Sequence, residues 1–128
     1  MSGFPLAITG TGMVTGVGLN VSASCAAIRC AIDNFQETRF MDKGGEWIMG
    51  CEVPLERPWR GKTKLIKMAA VAINECLVNN KHIVPKSTPL LLCLSEHERK
   101  GRVIEDDNQF FLDLQDEFGI EFQEKSGV

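Results

Sequence analysis

The stretch Ile8-Thr9-Gly10-Thr11-Gly12-Met13-Val14-Thr15-Gly16-Val17-Gly18 decides how the fold is assigned, because it joins a short apolar run to a helical pattern. The run from Pro5 to Thr9 predicts a buried strand that ends at the first glycine. Glycines at such a turn tolerate positive φ and permit close packing where the chain leaves a sheet. The stretch therefore predicts a strand, a tight turn and a helix in that order.

Three segments of the chain have the apolar spacing of helices. Residues 20–33 carry apolar side chains on one face, and Asn20 or Ser22 is suited to cap the helix start. Residues 63–79 have so wide an apolar stripe that we expect a helix buried on more than one side. Residues 104–118 predict an amphipathic helix with an acidic outer face, closed by Gly119.

Two further segments have the composition of strands. Trp47 to Pro54 reads as a strand that the proline ends. Pro89 to Leu94 is continuously apolar, which suits a strand covered on both faces in a parallel sheet. Ile120 to Phe122 predicts the start of another strand. The alternation of strands and helices predicts an α/β fold, with a mostly parallel sheet and covering helices.

Composition limits the classes of partner. The chain has 128 residues, a net charge of −3 and a pI near 5.4, which gives no electrostatic reason to expect nucleic acid or an anionic membrane. No apolar run approaches the roughly 20 residues that span a bilayer. The first residues lack the basic and apolar regions of a secretory signal, so we expect a cytoplasmic protein.

The cysteine pattern predicts free thiols rather than disulfides or a metal site. The five cysteines are irregularly spaced and lie in apolar segments, which is typical of reduced, buried thiols. No Cys-x-x-Cys occurs, and the nearest approach to a ligand pair is Cys93 with His97. We expect His82 and His97 to be solvated. We assign no metal, no cofactor and no cofactor-binding residue.

One interpretation of the glycine stretch is a dinucleotide site. Thr11-Gly12-x-x-x-Gly16-x-Gly18 matches the phosphate-binding turn of short-chain dehydrogenases. The apolar strand, however, ends two residues too early for that turn. The acidic residue expected about 20 positions later is missing, and the chain has no tyrosine, which that family uses in catalysis. An NAD(P)-binding fragment is therefore the third of three hypotheses.

The same stretch more closely resembles the opening of β-ketoacyl synthases, which are condensing enzymes of the thiolase-like superfamily. Thr9 to Thr15 and Gly18 match that family's Thr-Gly-x-Gly-Met-Val-Thr-Pro-x-Gly turn, with Gly16 at the usual proline. Residues 48–54, 64–77 and 89–94 resemble its second strand, its alanine-rich central helix and its next core strand. The resemblance covers most of residues 5–95. Leu94-Ser95-Glu96-His97 then departs from the family's glycine-rich turn.

The resemblance implies that residues 1–128 are the N-terminal part of a thiolase-like domain, truncated before the catalytic cysteine. The parent would condense acyl and malonyl thioesters with loss of carbon dioxide, in fatty-acid or polyketide synthesis. This chain alone would not be catalytic, so we assign no catalytic residue. The second hypothesis is a non-catalytic thiolase-like structural or heterodimer partner.

The resemblance also bears on partners. We expect a homo-oligomer, or association with the missing half of the same fold, and no nucleic acid or membrane partner. For the parent, acyl carrier protein is a candidate, which Lys62, Lys64 and Lys67 would suit. An exposed helix start explains these lysines more simply. Glu105, Asp106, Asp107, Asp113, Asp116 and Glu117 suggest a divalent-metal cluster, but a solvated helix face explains them better.

Overall fold

The computed structural model describes residues 3–123. These residues form a mixed α/β structure whose elements are, in order, α1 (Val21–Arg29), β1 (Phe35–Met41), β2 (Trp47–Cys51), α2 (Gly61–Val78), a short 3-10 turn (Pro85–Ser87) and α3 (Asp107–Phe118). Within residues 3–123, none of the helices combines the length and the apolarity needed to cross a bilayer.

Helix α1 begins where the sequence predicts it. The side-chain oxygen of Asn20 accepts a hydrogen bond from the backbone N–H of Ala23 at 2.8 Å, which confirms Asn20 as the N-cap. The helix ends at Arg29, four residues before the predicted end at Asp33. It ends early because Ala31 has a φ of 53°, the left-handed conformation that closes many helices.

A β-hairpin that the sequence predicts only in part follows α1. Strand β2 was expected, but β1 was not, and the two pair antiparallel with Phe35 opposite Cys51 and Met41 opposite Trp47. The carboxylate of Asp42 accepts hydrogen bonds from turn amides, including the N–H of Gly44 at 2.8 Å. Both faces of β1 are largely exposed, so its residues lack the alternation by which a strand is recognised.

The expected mostly parallel sheet is not found in residues 3–123, where the only sheet is this antiparallel hairpin. Residues 5–9 and 89–94 are not strands. Residues 120–122, expected to begin a strand, form none, and a single parallel bridge joins Pro89 to Gln123 just after them. A strand requires a neighbour for its backbone hydrogen bonds. Residues 89–94 border the hydrophobic core and residues 5–9 are exposed, and neither segment has such a neighbour.

The hydrophobic core lies between α2, α3 and the segment 89–94. Its centre consists of Ile66, Ile104, Phe110 and Leu114, and Leu92 is among the half-buried side chains around it. The prediction that α2 is buried on more than one side is wrong, because Ile66 is its only fully buried residue. Much of the apolar surface of α2 therefore remains half-exposed.

Ion pairs join α2 to the elements beside it. Lys62 contacts Asp113 at 2.5 Å and Lys67 contacts Glu117 at 2.6 Å, so α2 and α3 run in the same sense. Lys64 contacts Glu52, just after β2, at 2.7 Å. The lysines that the sequence offers as a patch for an acidic carrier protein are each paired with a carboxylate of the chain itself.

The Lys62–Asp113 pair predicts a pH dependence of stability. The hydrogen bond from Lys62 holds the pKa of Asp113 below its usual value, and a second hydrogen bond from Gln109 acts in the same direction. Because the pKa is lower in the folded than in the unfolded state, the stabilisation is present above the unfolded pKa and is lost as pH falls through the folded pKa. Urea unfolding of the protein and of Asp113→Asn should give a stability difference that shrinks below about pH 4.

The matched control is Asp116→Asn, an exposed residue of the same helix. At pH 7 this substitution should lower stability less than Asp113→Asn does, because Asp116 is exposed. A stability difference for Asp113→Asn that does not change with pH would contradict the role of the ion pair.

Candidate functional site

The glycine turn, residues 10–18, is packed directly against the backbone of α2. A Cβ added to Gly12 would lie 1.8 Å from the carbonyl oxygen of Ala72, and one added to Gly10 would lie 1.9 Å from the side-chain nitrogen of Asn80. The glycines with positive φ in the described chain all lie outside this turn. These glycines are therefore required by close approach, and the expected positive φ plays no part.

Glu75 of α2 fixes the turn and the start of α1. Its carboxylate accepts hydrogen bonds from the backbone N–H of Met13 at 3.0 Å and of Val21 at 2.9 Å. Val21 is the first residue of α1, where N–H groups have no partner within the helix and a negative charge is stabilising. One carboxylate thus joins three parts of the chain that are far apart in sequence. The sequence analysis missed this role, because Glu75 looks like an ordinary polar residue of an apolar helix.

Hydroxyl groups of the turn and of α1 close the turn. The hydroxyl of Thr15 lies 2.9 Å from that of Ser24, which is fully buried and donates to the carbonyl oxygen of Gly18 at 3.1 Å. Asn34 donates to the carbonyl oxygen of Gly16 at 3.0 Å. Because buried polar groups are costly unless they are paired, this network stabilises one conformation of the turn.

This geometry differs from a phosphate-binding turn. Such a turn needs free N–H groups at the helix start and room for an anion beside the glycines. Here the N–H of Val21 donates to Glu75 and the N–H of Ala23 donates to Asn20. The backbone of α2 fills the space beside Gly12. The carboxylate also places a negative charge where a pyrophosphate would lie.

A second polar cluster lies beside an open cavity of about 670 Å³ at the start of α3, and its members His97 and Asp107 line that cavity. Arg102, whose side chain is only 6% exposed, donates to the carbonyl oxygen of Ser95 at 3.0 Å and also binds the carboxylate of Asp107. His97 lies 3.2 Å from the same carboxylate. The sequence predicts a polar surface loop here, and nothing in its spacing distinguishes Arg102 from the exposed Arg99.

The cluster holds an imidazole in place but shows no partner for nucleophilic chemistry. Such chemistry needs a hydroxyl or thiol within hydrogen-bond reach of the base. His97 pairs with a carboxylate, and it remains largely exposed, as predicted for both histidines. Cys93, the suggested partner of His97, lines a different groove, beside α2. The structure does not bring this pair into one site.

The acidic residues of α3 form a largely exposed face, as expected, and most of them also pair within the chain. Asp106 caps the helix by accepting from the N–H of Asn108 at 2.8 Å. Asp107, Asp113 and Glu117 form the ion pairs already described. Across residues 3–123, no group of three or more potential ligand residues is placed to hold a metal ion.

The cysteines are free, but the prediction that they are buried is wrong. Cys25, Cys30, Cys51 and Cys93 are exposed, and Cys76 is half-buried. A catalytic thiolate is usually stabilised by a helix N-terminus or a nearby cation. Cys25 lies in the middle of α1, Cys30 at its end and Cys76 near the end of α2. No cysteine begins a helix.

The close approach of the turn to α2 predicts how a methyl group added at Gly12 would change stability. Gly12→Ala should lower the free energy of unfolding by about 2 kcal/mol or more, because the backbone of the turn or of α2 must move. Gly3→Ala is the control, since an added Cβ there meets no atom within 4 Å, and its effect should be below about 0.5 kcal/mol. Urea unfolding measures both. Equal stability of the two variants would contradict the packing described.

Removing the Glu75 carboxylate should destabilise the protein by about 2 kcal/mol, since two backbone N–H groups lose a charged acceptor. Asn74→Ala is the matched control, because it puts alanine at an exposed position in the same helix. In thermal or urea unfolding, Glu75→Ala should be less stable than both Glu75→Gln and Asn74→Ala. A Glu75→Ala variant as stable as Asn74→Ala would refute the role of Glu75.

No protein-family model matches the chain, and neither the curated proteins nor the solved structures contain a match.

Proposed function

We propose that this chain is the opening part of a β-ketoacyl synthase-like protein, whose parent condenses acyl and malonyl thioesters with loss of carbon dioxide. Residues 1–128 do not carry out this reaction alone. The observation that carries the proposal is the contact between the glycine turn and α2, which are the two most specific parts of the resemblance. Gly12 lies against the backbone of Ala72, so the turn and the alanine-rich helix are complementary in shape.

The small residues on both sides of this contact support the proposal. Gly10 and Gly12 meet α2 at Cys76 and Ala72, one helical turn apart, where larger side chains would separate the two backbones. A turn that served only to reverse the chain would not need glycine at positions whose φ is not positive. The Thr-Gly-x-Gly pattern is thus accounted for by packing, which is the structural reason inferred for the family's turn.

The partial thiolase-like fold with a mostly parallel sheet belongs to the same proposal. Residues 5–9 and 89–94 have the composition of core strands. Within the described chain, their backbones form no ladder of hydrogen bonds with a neighbouring strand. We expect them to become neighbouring strands of one sheet when the remainder of the domain is present. The exposed apolar side chains at Leu6, Ile8 and Leu91 would then be covered.

The thiols and histidines support the proposal that this chain alone is not catalytic. A condensing cysteine needs an activated thiolate and an oxyanion hole of backbone N–H groups. The backbone N–H of Val21, at the start of α1, donates to the carboxylate of Glu75, and no cysteine lies at the start of this helix. His97 is paired with Asp107, and Cys93 lines a different groove, beside α2.

A second candidate function is a non-catalytic thiolase-like partner in a heterodimer. The observation that favours it is Leu94-Ser95-Glu96-His97, which replaces the family's glycine-rich turn. Arg102 is buried against the carbonyl of Ser95 and holds this loop in an arrangement that a glycine turn would not need. An NAD(P)-binding fragment is disfavoured by the position of Glu75, and titration with NADPH should show no binding.

Acyl transfer distinguishes these functions. The chain is incubated with an acyl thioester on acyl carrier protein, and its cysteine peptides are analysed by mass spectrometry. We expect no acyl group on any of the five cysteines. The gene product extended past Val128 should gain one acyl group on a later cysteine and release carbon dioxide from a malonyl thioester.

The control is the extended product with Cys76→Ser and Cys93→Ser, which should acylate normally. Acylation of a cysteine within residues 1–128 would overturn the proposal that this part is non-catalytic. An extended product that is never acylated would favour the non-catalytic partner instead.

A further inference from the structure

We draw no further inference here: the strongest candidate, the open cavity of about 690 Å³ that Trp59, Val71 and Phe118 line between α2 and the end of α3, carries none because nothing in the described part of the chain, residues 3–123, shows what covers it.

Discussion

The arrangement of this chain depends on the contact between the glycine turn and α2. Two conditions produce it. Gly10 and Gly12 have no side chain to hold the backbones apart, and Glu75 offers a carboxylate to the N–H groups of Met13 and Val21. Either condition alone would stabilise the contact only weakly. Close packing without the hydrogen bonds would leave two N–H groups unpaired, and the hydrogen bonds cannot form if the backbones are separated.

Charge stabilises the other side of α2. Three lysines near its start bind carboxylates after β2 and on α3, and Arg102 joins the loop after residue 94 to the beginning of α3. The pairs that are open to solvent contribute little individually, whereas the guanidinium of Arg102 is buried and makes several hydrogen bonds. The polar residues therefore position the elements, and the small apolar core of Ile66, Ile104, Phe110 and Leu114 holds them together.

The sequence predicts the three helices well, because each helix carries its own signal. Asn20 caps α1, the apolar stripe marks α2, and Gly119 ends α3 in the left-handed conformation. It predicts the strands poorly, because pairing depends on segments far away in the chain. Residues 5–9 and 89–94 have the composition of strands but lack neighbours, while β1 pairs without any apolar alternation. The roles of Glu75 and Arg102 were not predictable from spacing, since both arise from contacts made only in the folded chain.

Amide hydrogen exchange at Met13 and Val21 tests the central contact most directly. If Glu75 holds the turn on α2, both amides should exchange as slowly as those in the middle of α2, although neither has a partner within a helix or strand. Exchange at Met13 and Val21 as fast as that of an unstructured peptide would contradict the account. The turn would then not be fixed to α2.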